Sequence, residues 1–502
     1  MTKTEIKIIL LIVFLALLVR LPGVFWGYHL FDDKSYSLHA DEHRTYKITH
    51  FFLEGDYGDI VSDKKSYYMH GFGFLVFLAY KPVEFLISRF TQLTAVQEAA
   101  YIIGAGRLVS VLFGLLTVVL VYFLASKAFG KKSALLASLF LALSPLHVMH
   151  SHFAMEAIAS VFFFYLALYF WLLYRDKQDV LFFLLAGIAS GIAFGIKFIF
   201  IGALPAIYFI FKKEAKLKER IFLLLLLVSS SVAGFYLING ASYTLNDFLV
   251  YQKEVELWTT EDSLIMNFLF AIFGSLIAVG LPVFLLAISG LRRSKWNTTL
   301  VLLGVTILAQ FLFINSVRFR FRDLLFIAPL LAMLAGHGFV RLKRLKRFVF
   351  FLTIAYLIVA VFSTEYYYTF DTRQDAGAWL RKNVGNEKLI GVSWYAVVPP
   401  EYKTEAFTGG NARYLVLHES YYRRFIRNFS SPFENPAVNT TIPNRPVNDA
   451  EFVHKLFGGE LPYKLVKKFE AKPVTIEARI LKSLGVGYYL DSVGDILVYE
   501  KN

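Results

Sequence analysis

The sequence predicts an α-helical polytopic membrane protein with about eleven transmembrane helices and one small α/β domain at its C-terminus. Three observations predict it. Hydrophobic residues make up 57% of the 502-residue chain and charged residues only 18%, whereas soluble domains hold roughly 45–50% and 25%. The surplus lies in long apolar runs, and mean hydropathy is +0.54. After Thr364 such runs stop, and shorter patterns of soluble-domain type replace them.

Taken in chain order, the candidate spans are 6–26, 107–125, 133–149, 157–174, 180–196, 198–211, 221–238, 267–290, 298–316, 323–340 and 348–364. The first, Ile6 to Trp26, is too long for a signal-peptide core and lacks a small-residue cleavage site, so it reads as a retained span. Several others fall short of the ~20 residues that a perpendicular helix needs, which predicts local thinning or pairing around Lys197. With the N-terminus in the cytoplasm, the inner connections hold twenty Lys and Arg, clustered at 127–132, 212–220, 292–295 and 341–347. The short outer loops hold five: Lys197, Lys253, Arg318, Arg320 and Arg322. This bias satisfies the positive-inside rule.

His70 to Phe90 is apolar enough to pass for a further span. Counting it would invert every later loop, and it carries Lys81, Pro82 and Glu84 near its middle, which are costly at mid-bilayer. It is therefore read as a juxtamembrane helix, which makes 27–106 one long outer loop in a membrane domain of residues 1–364. Residues 365–502 form the outer α/β domain. Helices are predicted at Arg373–Asn383, opened by Asp371-Thr372, and near Asp449–Phe457. Strands are predicted at Leu389–Trp394, Tyr414–Leu417, Tyr463–Phe469 and Ile496–Glu500.

The net charge of +14 does not indicate a nucleic-acid partner, because much of it sits in the loop clusters that topology requires. The chain has no cysteine, which excludes disulfides, thiolate metal sites and thiol nucleophiles. No internal repeat is evident, which weakens an inverted-repeat transporter reading.

The most informative stretch is His39-Ala40-Asp41-Glu42-His43-Arg44-Thr45-Tyr46. Two adjacent carboxylates open an amphipathic helix carrying Ile48, Phe51 and Phe52, of the kind that lies along an interface. A carboxylate there can keep its charge and take a proton from a hydroxyl acceptor. The structural alternative is equally simple: Asp41 caps the helix and Glu42 favours its dipole.

These residues resemble the GT-C fold glycosyltransferases, specifically the group of dolichyl-phosphate-mannose–protein mannosyltransferases and aminoarabinose transferases of lipid A. The resemblance continues through Gly106-Arg107-Leu108-Val109-Ser110, Ala128-Phe129-Gly130, Leu143-Ser144-Pro145-Leu146-His147 and Ser151-His152-Phe153-Ala154-Met155-Glu156. Gly187, Gly191 and Gly195 then lead to Lys197, and Arg320-Phe321-Arg322-Asp323 precedes Ile327-Ala328-Pro329. It covers most of residues 1–340. It implies Asp41 as catalytic base, Glu42 as its partner and Glu156 as a second acidic residue, where relatives more often have Asp. Where relatives carry a Pro-containing turn, this chain reads Tyr67-Tyr68-Met69-His70-Gly71. His70 and His152 are expected to line the substrate cavity.

Arg318 and Arg320 stand on the side disfavoured for positive charge and offer planar forks for a lipid phosphate, with Lys197 in reach of the same group. Snorkelling to headgroups is the alternative for all three. His147, His150 and His152 near Glu156 lack the carboxylate set of a metal site, so no cofactor is assigned and a divalent metal is the weaker reading. The resemblance thus implies an inverting transfer of a sugar from a polyprenyl-phosphate donor to a hydroxyl of a lipid, glycan or protein acceptor. The expected setting is the outer face of the plasma (inner) membrane. The rival reading is a transporter or flippase of a lipid-linked or anionic substrate.

Overall fold

A computed structural model of the chain describes residues 2–27, 39, 41–55, 70–197, 201–211, 216–239, 264–293, 298–317, 321–369, 371–393, 395–422, 447–471, 479 and 494–502. The helical bundle begins with α1 (Lys3–Leu18) and the short α2 (Leu21–Val24). A capping box starts α1: Thr2 accepts from the Glu5 N–H, and Glu5 accepts from the Thr2 N–H. There follow α3 (Glu42–Glu54), α4 (Gly71–Ile87), α5 (Ala95–Phe129), α6 (Lys131–Ala142), α7 (Pro145–His150), α8 (Glu156–Lys177) and α9 (Val180–Lys197). Next are α10 (Pro205–Ile210), α11 (Leu217–Asn239), α12 (Leu264–Val279), α13 (Leu281–Arg293), α14 (Thr298–Val317), α15 (Ala328–Val340) and α16 (Lys346–Thr369).

The fold class stands, but not every expected span is one long helix. Among the described residues, six helices are long and apolar enough to cross a membrane, or seven if the bent pair α12–α13 is one span. Proline and glycine account for the difference. The run 133–149 breaks at Leu143-Ser144, and Pro145, which has no N–H to give, starts α7 instead. The run 198–211 yields a 3₁₀ turn at Ile201–Ala203 and then α10, with Pro205 at its first position. The run 267–290 bends by 112° at Gly280, whose φ is +83°, a conformation glycine adopts without cost. The run 323–340 begins as a 3₁₀ turn, Phe321–Phe326, before α15.

The loop after α1 is shorter than expected at its far end. A capping box of Thr94 and Gln97 starts α5 at Ala95 rather than at 107, so the second long helix carries residues assigned to the loop. A helix does form over the run read as juxtamembrane: it is α4, with Pro82 inside it.

Small residues set the closest helix crossings. A Cβ at Gly191 of α9 would lie 1.9 Å from the Ser231 carbonyl of α11, and one at Gly234 of α11 would lie 2.2 Å from the Ile188 carbonyl. Gly290 of α13 and Gly338 of α15 make a second such crossing, 2.0 and 2.1 Å from opposing carbonyls. Backbones this close are the packing mode of helices in lipid. The opposite face of α11 exposes Ile221, Phe222, Leu224, Leu225 and Val228 among the described residues, an apolar stripe of the kind that faces a bilayer.

Beyond α16 the chain forms a five-stranded sheet of β1 (Leu389–Val392), β2 (Lys403–Ala406), β3 (Tyr414–His418), β4 (Tyr463–Phe469) and β5 (Ile496–Lys501), in the order β2-β1-β3-β5-β4. The β1 strand runs parallel to β2 and β3, while β5 is antiparallel to β3 and β4. Helices α17 (Thr372–Asn383), α18 (Glu419–Tyr422) and α19 (Val447–Phe457) accompany it. The predicted helices and four of the strands are all present. The fifth, β2, reads Lys-Thr-Glu-Ala; it is an edge strand with no apolar face to announce it.

Candidate active site

The first turn of α3 carries the two carboxylates, and its surroundings send them to different tasks. One face of α3, formed by Glu42, Thr45, Ile48, Thr49 and Phe52, is buried. It packs on α4, where a Cβ at Gly73 would lie 2.4 Å from Ile48 and Phe52 meets Phe74 with centroids 5.3 Å apart. Thr45 donates to the Ala154 carbonyl at 2.7 Å and Thr49 to the Gly73 carbonyl at 3.2 Å. The helix is thus fixed on the bundle rather than merely laid along an interface.

Glu42 points inward and is fully buried. Arg107, in α5 and equally buried, donates to both its oxygens at 2.8 Å, and the Ala154 N–H donates to Oε1 at 2.9 Å. Burial opposes the charge of Glu42, but Arg107 and these hydrogen bonds outweigh it and hold its carboxyl below the usual range. A carboxylate so occupied is a poor acceptor for a substrate proton, and its geometry suits a positioning residue.

Asp41 stands at the N-cap position, yet its side chain makes no capping hydrogen bond. Its carboxylate retains 23% exposure and instead meets Arg322 at 2.9 Å and Arg44 at 3.4 Å. The Asp41 N–H donates to His39 Nδ1 at 3.1 Å, which puts the ring proton of neutral His39 on Nε2. Burial would raise the Asp41 carboxyl, but Arg322 and then Arg44 hold it far below the ordinary range.

Arg322 and Asp323 are adjacent in the 3₁₀ turn that precedes α15. Arg322 reaches Asp41, while Asp323 accepts from Lys197 Nζ at 3.4 Å. A single turn therefore gathers the expected base and the expected phosphate lysine. Lys197 is paired rather than waiting as an open cation. Arg318 and Arg320 lie outside the described residues.

Glu156 opens α8 at intermediate exposure, and no ion pair joins it to another described residue. His70 is buried at the start of α4, its N–H donating to Asn239 Oδ1 at 2.9 Å. His152 is buried with Nε2 3.1 Å from Glu365, and burial together with Arg20 holds its imidazole down to about 3. His147 Nδ1 faces Arg20 Nη2 at 2.9 Å. His147 and His152 thus share their space with the Arg20 guanidinium, a poor setting for a divalent cation. Among the described residues, no group of three or more His, Cys, Asp or Glu is placed to hold a metal.

Sequence reasoning selected Asp41, Glu42 and Lys197 but missed Arg322 as the direct partner of Asp41, and Arg107 as the partner of Glu42. The available signal for Arg107 was a lone arginine within an apolar helix, which must find a carboxylate inside the protein.

A short segment of the chain is recognisable by sequence. Residues 82–235 match the family described as Dolichyl-phosphate-mannose-protein mannosyltransferase. No curated protein matches the chain by sequence. In three dimensions it is similar to apo ArnT from Cupriavidus metallidurans, at a TM-score of 0.50 and 15% identity, over 97% of each chain. The chain has the GT-C fold. Other similar structures are ArnT bound to undecaprenyl phosphate (TM-score 0.49, 15% identity, 82% of this chain and 93% of that one). The oligosaccharyltransferase AglB from Archaeoglobus fulgidus, in complex with an inhibitory peptide and a dolichol-phosphate, aligns at a TM-score of 0.48 and 11% identity. It covers 99% of this chain and 88% of its own. In this GT-C chain, as expected from its sequence, the carboxylate-bearing α3 follows the first span and precedes the long α5.

Proposed function

We propose that this protein is a membrane glycosyltransferase that moves a sugar from a polyprenyl-phosphate donor to an acceptor hydroxyl, with inversion, on the outer face of the plasma (inner) membrane. The observation that carries the reading is the pairing of a part-exposed Asp41 with Arg322, on a turn that also engages Lys197. The GT-C fold and the family match over 82–235 support it, as does the bias of basic residues for the orientation.

In this mechanism the donor phosphate competes with Asp41 for Arg322 and with Asp323 for Lys197. Arg318 and Arg320 add charge from the same loop. A phosphate, like a carboxylate, can accept the planar guanidinium fork in a bidentate pair. Withdrawing Arg322 removes the strongest influence that keeps Asp41 from taking a proton. Asp41 then accepts the acceptor's hydroxyl proton, the oxygen forms its bond to the anomeric carbon, and the bond to the phosphate oxygen breaks on the opposite side. Polyprenyl phosphate leaves with both electrons of that bond. The acceptor is a lipid, glycan or protein hydroxyl, and the reading needs no cofactor.

The test is Asp41→Asn in purified protein supplied with polyprenyl-phosphate sugar. Because Asp41 makes no capping bond, the variant should fold and bind donor. Loss of a general base slows a reaction about 10²–10⁴-fold, so transfer should fall at least about a hundredfold. Near-normal transfer would remove Asp41 from the role and turn attention to Glu156.

A further inference from the structure

Trp26 lies at the end of the first span and is almost completely buried. Its main-chain carbonyl and that of Val24 accept from Arg107 Nη1, the same guanidinium that grips Glu42. Its indole N–H donates to Asp371 Oδ2 at 3.2 Å, across 345 positions of sequence. Asp371 in turn accepts from Arg373 through Nε at 2.8 Å and Nη2 at 2.5 Å, and both residues are fully buried. The two guanidinium carbons sit 5.6 Å (Arg107) and 5.5 Å (Arg373) from the indole ring centroid. Tyr368, at the end of α16, meets the same ring edge-on at 5.0 Å.

Trp26 thus joins two buried ion pairs: Glu42–Arg107 in the membrane domain, next to the base, and Asp371–Arg373 at the entrance of the C-terminal domain. We propose that Asp371, Arg373 and Trp26 are positioning residues through which the C-terminal domain fixes the first turn of α3, and with it Asp41. The assignment of Asp41 rests on the transferase reading; the physical coupling does not.

The chemistry favours rigidity. Each guanidinium is neutralised by its own carboxylate, so both can share one aromatic ring without a net repulsion between unpaired charges. Neither arginine can shift without disturbing the ring or leaving a buried carboxylate uncompensated. Since Arg107 binds both the Trp26 carbonyl and Glu42, a displaced indole moves the anchor one residue away from Asp41.

Two measurements on the full-length protein test this. Hydrogen exchange is followed in the peptide 42–54 of the wild type and of Asp371→Asn and Trp26→Phe, the latter keeping an aromatic face but losing the N–H donor. Faster exchange in 42–54 for both variants is expected, with exchange in α9 unchanged. Unchanged exchange in 42–54 would overturn the coupling. That readout needs no turnover, so it survives a failure of the transferase reading. The second measurement is a cycle of Arg373→Lys and Arg107→Lys, with kcat taken per folded molecule. If each slows transfer about tenfold through one linked unit, the double variant falls well short of the hundredfold expected for independent sites. Donor KM should hardly change. A full multiplicative loss, or a loss confined to KM, would reduce Arg373 to a fold-stabilising residue of its own domain.

Discussion

Asp41 and Glu42 are neighbours in sequence with opposite fates, and the difference is set by what lies opposite each. Glu42 faces a buried arginine and has three donors on its oxygens, so replacing it by Gln leaves Arg107 uncompensated at a fully buried position. Breaking a buried pair on one side costs about 3–5 kcal/mol. Glu42→Gln should therefore lower the thermal midpoint of the purified protein, whereas Asp41→Asn should leave it close to wild type; equal midpoints would show that Arg107 finds another partner. The Asp41 carboxyl is depressed chiefly by Arg322, against its own burial. A depressed carboxyl stays ionised as pH falls, so with Asp41 as the proposed base the acid limb of kcat/KM should lie below the ordinary carboxylate range of about 4. Arg322→Gln removes the main cause and should move that limb to higher pH, and a limb that does not move would mean another group titrates. The carboxylates were legible in the sequence because charge next to an apolar span is rare. Their partners were not, since Arg107 and Arg322 lie 65 and 281 positions away, and only the folded chain brings them together.

At the scale of elements, hydropathy located the apolar segments well and their interruptions poorly. Runs containing Pro145, Pro205 and Gly280 read as single spans because a window average gives one residue little weight, although that residue decides whether the helix continues. The start of α5 was missed for the converse reason. Thr94 and Gln97 form a good capping box, but a polar capping signal carries little weight beside a long apolar run. The glycines of α9 were legible as a motif, and the structure gives their purpose in the backbone contact with α11. Gly191→Val should prevent that crossing, because its first carbon alone would lie 1.9 Å from the Ser231 carbonyl. We expect little monodisperse protein on size exclusion. Gly55→Asn is the control: it ends α3 in the left-handed region with nothing within 4 Å, a conformation that Asn tolerates. Full recovery of Gly191→Val would mean that α9 and α11 can separate without loss of the bundle.

For the whole molecule, the absence of cysteine makes topology easy to test. Single cysteines at the exposed positions Gln92 and Glu387 should both react with an impermeant maleimide in intact spheroplasts, since both are assigned to the outer side. Failure of both to react would place α4 across the bilayer and reverse the scheme, because the later spans carry Gln92 and Glu387 to the same side in either case. The two-part organisation was legible from the change of composition after Thr364, but the tie between the parts was not, because nothing in a sequence pairs Trp26 with Asp371. That tie also has a consequence in time. A ribosome adding about 5–20 residues per second completes Arg107 some seconds after Glu42, so the first ion pair can close early. The indole N–H of Trp26 must wait for a partner 345 residues downstream, a delay of about 17–70 s at that pace. Throughout that interval the nascent chain holds Asp41 on an anchor that is only half built. A prematurely terminated chain never completes it, so the first turn of α3 gains its second brace only once synthesis has passed the last span and reached the domain beyond it.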